Sequence, residues 1–134
     1  MSRYESIFKV LSEEKRLKLL ILLLKERKEV YVCELADALE ESHYNISKYL
    51  KELKMVNLVR EKRVGRGVLY SVVEAEDNFL KSLFEAILSI PEEFIEKNIT
   101  LLRLRLSLRE QNRCVIGASH PKWKELLKSL EDKS

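Results

Sequence analysis

A chain of 134 residues is long enough for one domain with its own core. Its 46% apolar and 35% charged content excludes a disordered chain. The N-terminus MSRYESIFKV is charged rather than leader-like, the longest strongly apolar run (Leu19 to Leu24) is far below the ~20 residues of a bilayer span, and two cysteines do not make a disulfide framework. These features predict a cytoplasmic protein with no membrane partner.

Net charge is only +3, but its distribution is uneven. Residues 42–70 hold 7 basic and 2 acidic residues, net +5, whereas 1–41 and 71–134 are each net −1. A short segment with all of the surplus is the electrostatic footprint of a nucleic-acid surface, although acidic neighbours in space could neutralise it.

In chain order, Ile7, Phe8 and Leu11 share a face of a first helix over residues 4–11. Ser12 reads as the N-cap of a second helix, with Glu13 and Glu14 favourable in its first turn. That helix runs to about Lys25, with Leu17, Leu20, Ile21 and Leu24 as its buried stripe. KERKEV then breaks the pattern. A third helix over Val32 to Leu39 turns Leu35, Ala36 and Leu39 inward, and Glu40, Glu41 and Ser42 make a turn. In a fourth helix, from His43 to about Val56, Ile46, Leu50 and Leu53 face in with Tyr49. Asn57 suits a left-handed terminus.

Residues 58–73 change period. LVREKRV and VLYSVV flank Gly65-Arg66-Gly67, a hairpin signal. A helix from Asp77 to Ser89 is apolar at Phe79, Leu80, Leu83, Phe84 and Ile87. Pro91 opens a long helix to about Glu110, and Pro121 opens a short amphipathic one carrying Trp123, which helical spacing assigns to the core.

Two short helices, a tight turn and a hairpin make a mainly α fold with a two-stranded β-wing, the winged helix-turn-helix pattern. The fourth helix is the one to enter a major groove. Ser42, Tyr44, Asn45 and Ser47 are candidates for the DNA face, with Lys48 and Lys51 on phosphates and Arg63 and Arg66 anchoring the wing. The basic segment coincides with this helix and hairpin, which favours double-stranded DNA as partner over a protein-only adaptor. The expected division is a DNA-binding and dimerisation domain over 1–90 and a helical extension over 91–134 carrying Cys114. No phosphate-binding glycine loop is present. A Cys114–His120 nucleophile pair finds no supporting oxyanion site, so no enzyme is expected.

The stretches IFKVLSEEKRLKLLILLL, EVYVCELADAL and NISKYLKELKMVNLVREKRVGRGVLYSV, in that order over residues 6–73, resemble the ArsR/SmtB family of winged-helix repressors. The resemblance implies a homodimer, joined through the first and late helices, that binds an operator and leaves it when an inducer binds. Metal-sensing members often carry Cys-Val-Cys where this chain has Tyr31-Val32-Cys33, and the His and carboxylate ligands of the late helix are also missing. Zinc or nickel sensing at that late-helix site is therefore not expected, and no constitutive cofactor is.

Cys33 and Cys114 remain as candidate soft-metal ligands. LRLSLREQNRCVIG resembles the cysteine setting of some arsenic-responsive members, which puts an As(III)-like thiophilic inducer first. Trivalent arsenic prefers three thiolates, and each chain has two. A disulfide or polysulfide between the same cysteines is the alternative, as is an inert small buried thiol.

Overall fold

The computed structural model describes residues 1–109 and 121–132. The element order is α1 (Arg3–Leu11), α2 (Glu14–Glu26), β1 (Val30–Tyr31), α3 (Val32–Leu39), α4 (His43–Met55), β2 (Val59–Val64), β3 (Gly67–Val72), α5 (Asn78–Leu88), a 3-10 turn (Glu92–Phe94), α6 (Glu96–Ser107) and α7 (Pro121–Asp132). No helix among the described residues is long and apolar enough to cross a membrane.

The core is organised around α2. Leu19, Leu20, Ile21, Leu22, Leu23 and Leu24 are all buried, because α2 packs on α1, α4, α5, α6 and β3 at once. The expected one-sided stripe is thus a helix buried nearly all round in its second half, and Leu17 is only half-buried. Its neighbours enclose it where a surface helix would meet water. Arg27 ends α2 in the left-handed region, at φ 53°.

Helix starts follow local hydrogen bonds rather than residue type alone. Ser12 is not the N-cap of α2. It closes α1, its hydroxyl donating to the Lys9 carbonyl, and the Glu13 carboxylate accepts from the Arg16 N–H instead. Pro91 does not open a continuous helix. A 3-10 turn follows it, and α6 begins only after Ile95, at φ −125° outside helical geometry. α6 ends at Ser107. Asp77 caps α5 by accepting from the Leu80 N–H, and Asn57 is left-handed at φ 59° as expected.

The hairpin pairs Val59 with Val72 through Val64 with Gly67, leaving Gly65-Arg66 as its two-residue turn. Gly65 has φ +59°, a conformation that costs side chains with a Cβ. The sheet has a third strand that the sequence pattern does not reveal. β1 pairs antiparallel with β3, Val30 with Tyr70 and Tyr31 with Leu69, giving the order β1-β3-β2. Two residues are too few to carry a period.

One cluster of buried side chains runs from Ile7 through α2–α5 to Ile95, Ile99, Leu101, Leu102 and Trp123. It therefore includes residues on both sides of position 90. Trp123 is buried, as its spacing predicts.

Candidate nucleic-acid interface

α3 and α4 form the helix-turn-helix pair, and the turn between them is built from capping groups. Glu40 takes a left-handed conformation at φ 53° and its N–H donates to the Asp37 carbonyl. Ser42 then caps α4, its Oγ accepting from the Asn45 N–H at 3.1 Å. Asn45 Nδ2 donates to Glu41 Oε1 at 2.9 Å, and Lys15 Nζ lies 3.1 Å from Glu41 Oε2. The Asn45 amide and then Lys15 hold the Glu41 carboxyl down at about 2, against an ordinary 4.5.

The expected DNA-facing residues divide accordingly. Tyr44, Lys48 and Lys51 project from α4 into solvent, and Tyr44 is 78% exposed. Ser47 is half-buried. Ser42 and Asn45 are engaged in the cap, so both fix where α4 begins. On the opposite face Ile46, Leu50 and Leu53 are fully buried against α2 and α3. Amphipathic spacing thus orients the helix with its basic side outward.

Arg66 stands exposed in the wing turn, and Arg63 is exposed on β2 within 3.8 Å of Glu61. Tyr70 reaches across the hairpin, its hydroxyl donating to Glu61 at 2.6 Å. That bond depresses the Glu61 carboxyl, while burial and then Glu61 raise the Tyr70 phenol. Glu61 also lies 3.6 Å from Lys54 at the end of α4, so this carboxylate ties recognition helix to wing.

A cleft of about 890 Å³ opens between α4 and the wing, lined by Tyr31, Cys33, His43, Tyr44, Ser47 and Arg66 among others. Cys33 is half-buried there, at the second position of α3, and is disulfide-bonded. The chain's other cysteine, Cys114, lies outside the described residues. Among the described residues no group of three or more His, Cys, Asp or Glu side chains could hold a metal ion.

Sequence reasoning missed the polar contacts between α3 and the C-terminal helices. Glu34 is fully buried and accepts from the Tyr31 N–H at 2.9 Å and from Arg109 Nε and Nη2 at 2.7 and 2.6 Å. Hydrogen bonding to Glu34 raises the Arg109 guanidinium above its ordinary value. Arg105, also buried, donates to Asp37 at 2.6 Å and lies 5.4 Å from the Trp123 ring centroid. Asn98 donates to the Ala38 carbonyl at 3.0 Å. Glu34 and Asp37 recur at i, i+3 on one face of α3, and their cations Arg105 and Arg109 stand four apart, in α6 and just beyond it. Two charges three apart usually mean a solvated face, so only the packing reveals these as buried partners.

A capped recognition helix with exposed cations, joined to a basic β-wing, defines a winged helix-turn-helix DNA-binding regulator. Comparisons with known proteins narrow the class. The family model for bacterial regulatory proteins of the arsR family matches residues 13–61. The chain is 36% identical over 80 residues to a transcriptional repressor SmtB homolog of Synechocystis, covering 60% of this chain and 57% of that protein. It is 27% identical over 89 residues to the arsenic resistance transcriptional regulator ArsR1 of Pseudomonas putida, covering 66% and 69%. The solved structure of reduced HlyU from Vibrio cholerae matches with a TM-score of 0.54 at 27% identity, covering 63% of this chain and 84% of that one. Residues 13–61 thus carry the helix-turn-helix of arsR-family regulators, and the relatives that this chain resembles are transcriptional regulators.

Proposed function

We propose that this chain is a homodimeric operator-binding repressor whose affinity for DNA is set by the oxidation state of Cys33. The observation that carries this reading is the position of Cys33. Its disulfide-bonded sulfur belongs to a residue lining the same cleft as Tyr44, Ser47 and Arg66, which would touch DNA. A covalent change at that residue acts beside the DNA-reading groups with no long relay.

Tyr44 and Ser47 read bases in this proposal, Lys48, Lys51, Arg63 and Arg66 hold phosphates, and Ser42 and Asn45 set the start of the helix. Cys114, the only other cysteine of the chain, supplies the second sulfur. Two thiols give up two protons and two electrons to a peroxide or a small organic disulfide and join as S–S. A dithiol reductant reverses the step. The reduced protein binds the operator and the disulfide form releases it.

Dimerisation is supported by an exposed aromatic patch. Tyr4 and Phe8 on α1 are 52% and 55% exposed, and both make edge contacts with Phe79 of α5, with centroids 4.9 and 6.1 Å apart. A continuous apolar face on the first and a late helix suits a second copy of the chain.

As(III) is the second reading, favoured by the arsenic-resistance function in the name of the P. putida relative. Two cysteines per chain fall short of three thiolates, so a third ligand would have to come from elsewhere.

Anaerobic fluorescence anisotropy on the protein's own promoter DNA tests both readings, with wild type, Cys33→Ser and Cys114→Ser. Release of wild type by oxidant, reversed by dithiol and absent in both variants, is expected. Release by arsenite alone favours the metalloid reading. Binding unchanged by either refutes a sensing role for the two cysteines.

A further inference from the structure

Arg109 touches three parts of the segment that leads into the helix-turn-helix. It donates twice to the buried Glu34 carboxylate and once to the Glu29 carbonyl, at 2.9 Å, and its guanidinium carbon lies 5.6 Å from the Tyr31 ring centroid. Glu34 in turn accepts from the Tyr31 N–H. A single planar cation thereby fixes the strand before α3, the first turn of α3 and the face of Tyr31. Lys could not reproduce this, having a point charge and no fork.

Tyr31 continues the chain of contacts into the wing. Its backbone pairs with Leu69 of β3, and its ring covers Gly67, the first residue of β3 after the turn that carries Arg66. The fit is close enough that a Cβ on Gly67 would lie 2.5 Å from Tyr31 Cε1 and 3.0 Å from Cδ1. A side chain at this position would press on the ring, against which Arg109 also lies. Cys33 sits between Tyr31 and Glu34 in the sequence, inside the segment that Arg109 holds.

We infer that Arg109 is a positioning residue for DNA binding. Through Glu34 and the Tyr31 ring it seats the wing at Gly67, so that Arg66 is presented at a fixed height beside the recognition helix. The contact also gives the late helices a route to the DNA surface, since Arg109 lies two residues beyond the last residue of α6, Ser107. This inference rests on the proposal that the wing touches DNA.

The test compares Arg109→Gln, Gly67→Ala and Arg66→Ala in the full chain under reducing conditions. Anisotropy measures operator affinity as a function of salt, and amide hydrogen exchange is followed in β2 and β3. Arg109→Gln should melt cooperatively, weaken operator binding roughly tenfold, within the usual range for coupled sites, and lower the salt slope by about one phosphate per wing. Exchange in β2 and β3 should accelerate. Gly67→Ala should reproduce both effects from the other end of the relay without touching Arg109. Combining Arg109→Gln with Arg66→Ala should add little to Arg66→Ala alone, because both act through the wing. Should Arg109→Gln lower only the melting temperature, with affinity, salt slope and wing exchange unchanged, the inference is overturned and Arg109 is structural alone. Wild-type binding by Gly67→Ala overturns the Tyr31 step. If Arg66→Ala itself binds as wild type, the wing assignment fails instead, and the two failures are distinguishable.

Discussion

Replacing Arg105 by Met removes a cation from beside a carboxylate that has little access to water. The Arg105 and Asp37 side chains are 1% and 7% exposed, with Nε 2.6 Å from Oδ2. An exposed pair of this geometry would contribute about 0–1 kcal/mol, but stranding one charge of a buried pair costs about 3–5 kcal/mol. The substitution also deletes the cation over the Trp123 ring, a term of about 0.5–2 kcal/mol that overlaps the first. Against a total stability of about 5–15 kcal/mol, the loss is a large share. It corresponds to a melting-point drop of roughly 12–20 °C at about 4 °C per kcal/mol for a chain of this length. Urea denaturation with both cysteines reduced measures it without the disulfide altering the unfolded state. A paired Arg105→Met/Asp37→Leu variant should recover most of the loss, because two apolar groups need no partner. A cost below about 1 kcal/mol for Arg105→Met alone would refute the claim that this pair is effectively dry. The reasoning would also fail if the double variant were no better than the single.

Three further outcomes are expected. Arg66→Ala should weaken binding to operator and random DNA alike and lower the salt slope by about one per wing, read by anisotropy; unchanged affinity for random DNA at low salt would discard the wing contact. Glu41 has a carboxyl held at about 2 against an ordinary 4.5, so its contribution to stability is complete above 4.5 and fades as pH falls toward about 2. Asn45→Ala removes the largest cause, and NMR titration of the Glu41 carboxyl should then give a higher value; an unmoved titration contradicts the cap geometry. Phe8→Ser should shift the oligomeric equilibrium toward monomer in analytical ultracentrifugation while leaving the circular dichroism spectrum intact. An unaltered sedimentation profile would place the dimer face elsewhere.

Much of this molecule is legible in its residues because the information is local. Ile46, Leu50 and Leu53 recur at helical spacing, so the buried side of α4 follows from period alone, and with it the outward side bearing Tyr44, Lys48 and Lys51. Gly65-Arg66 between two β-rich runs places the wing tip, since the turn needs a positive φ that glycine adopts freely. The left-handed Asn57 and the burial of Trp123 follow from the same kind of signal. The concentration of basic charge in residues 42–70 likewise marks α4 and the hairpin as the basic part of the molecule before any coordinates.

The tertiary structure decided what depends on partners distant in the chain. Ser12 has the side chain of an N-cap, but the chain direction after Leu11 turns its hydroxyl to the Lys9 carbonyl. β1 exists only because β3 lies beside two residues that carry no periodicity. Glu34 and Asp37 look like ordinary surface carboxylates of a short helix, and their burial depends on Arg109 and Arg105 arriving 75 and 68 residues later. A charge can leave water only where an opposite charge meets it with good geometry, and that meeting is a property of the folded chain rather than of either residue. The same holds for Cys33. Its spacing marks a cysteine in a helix, while its place in the cleft between recognition helix and wing is made by segments on both sides of it.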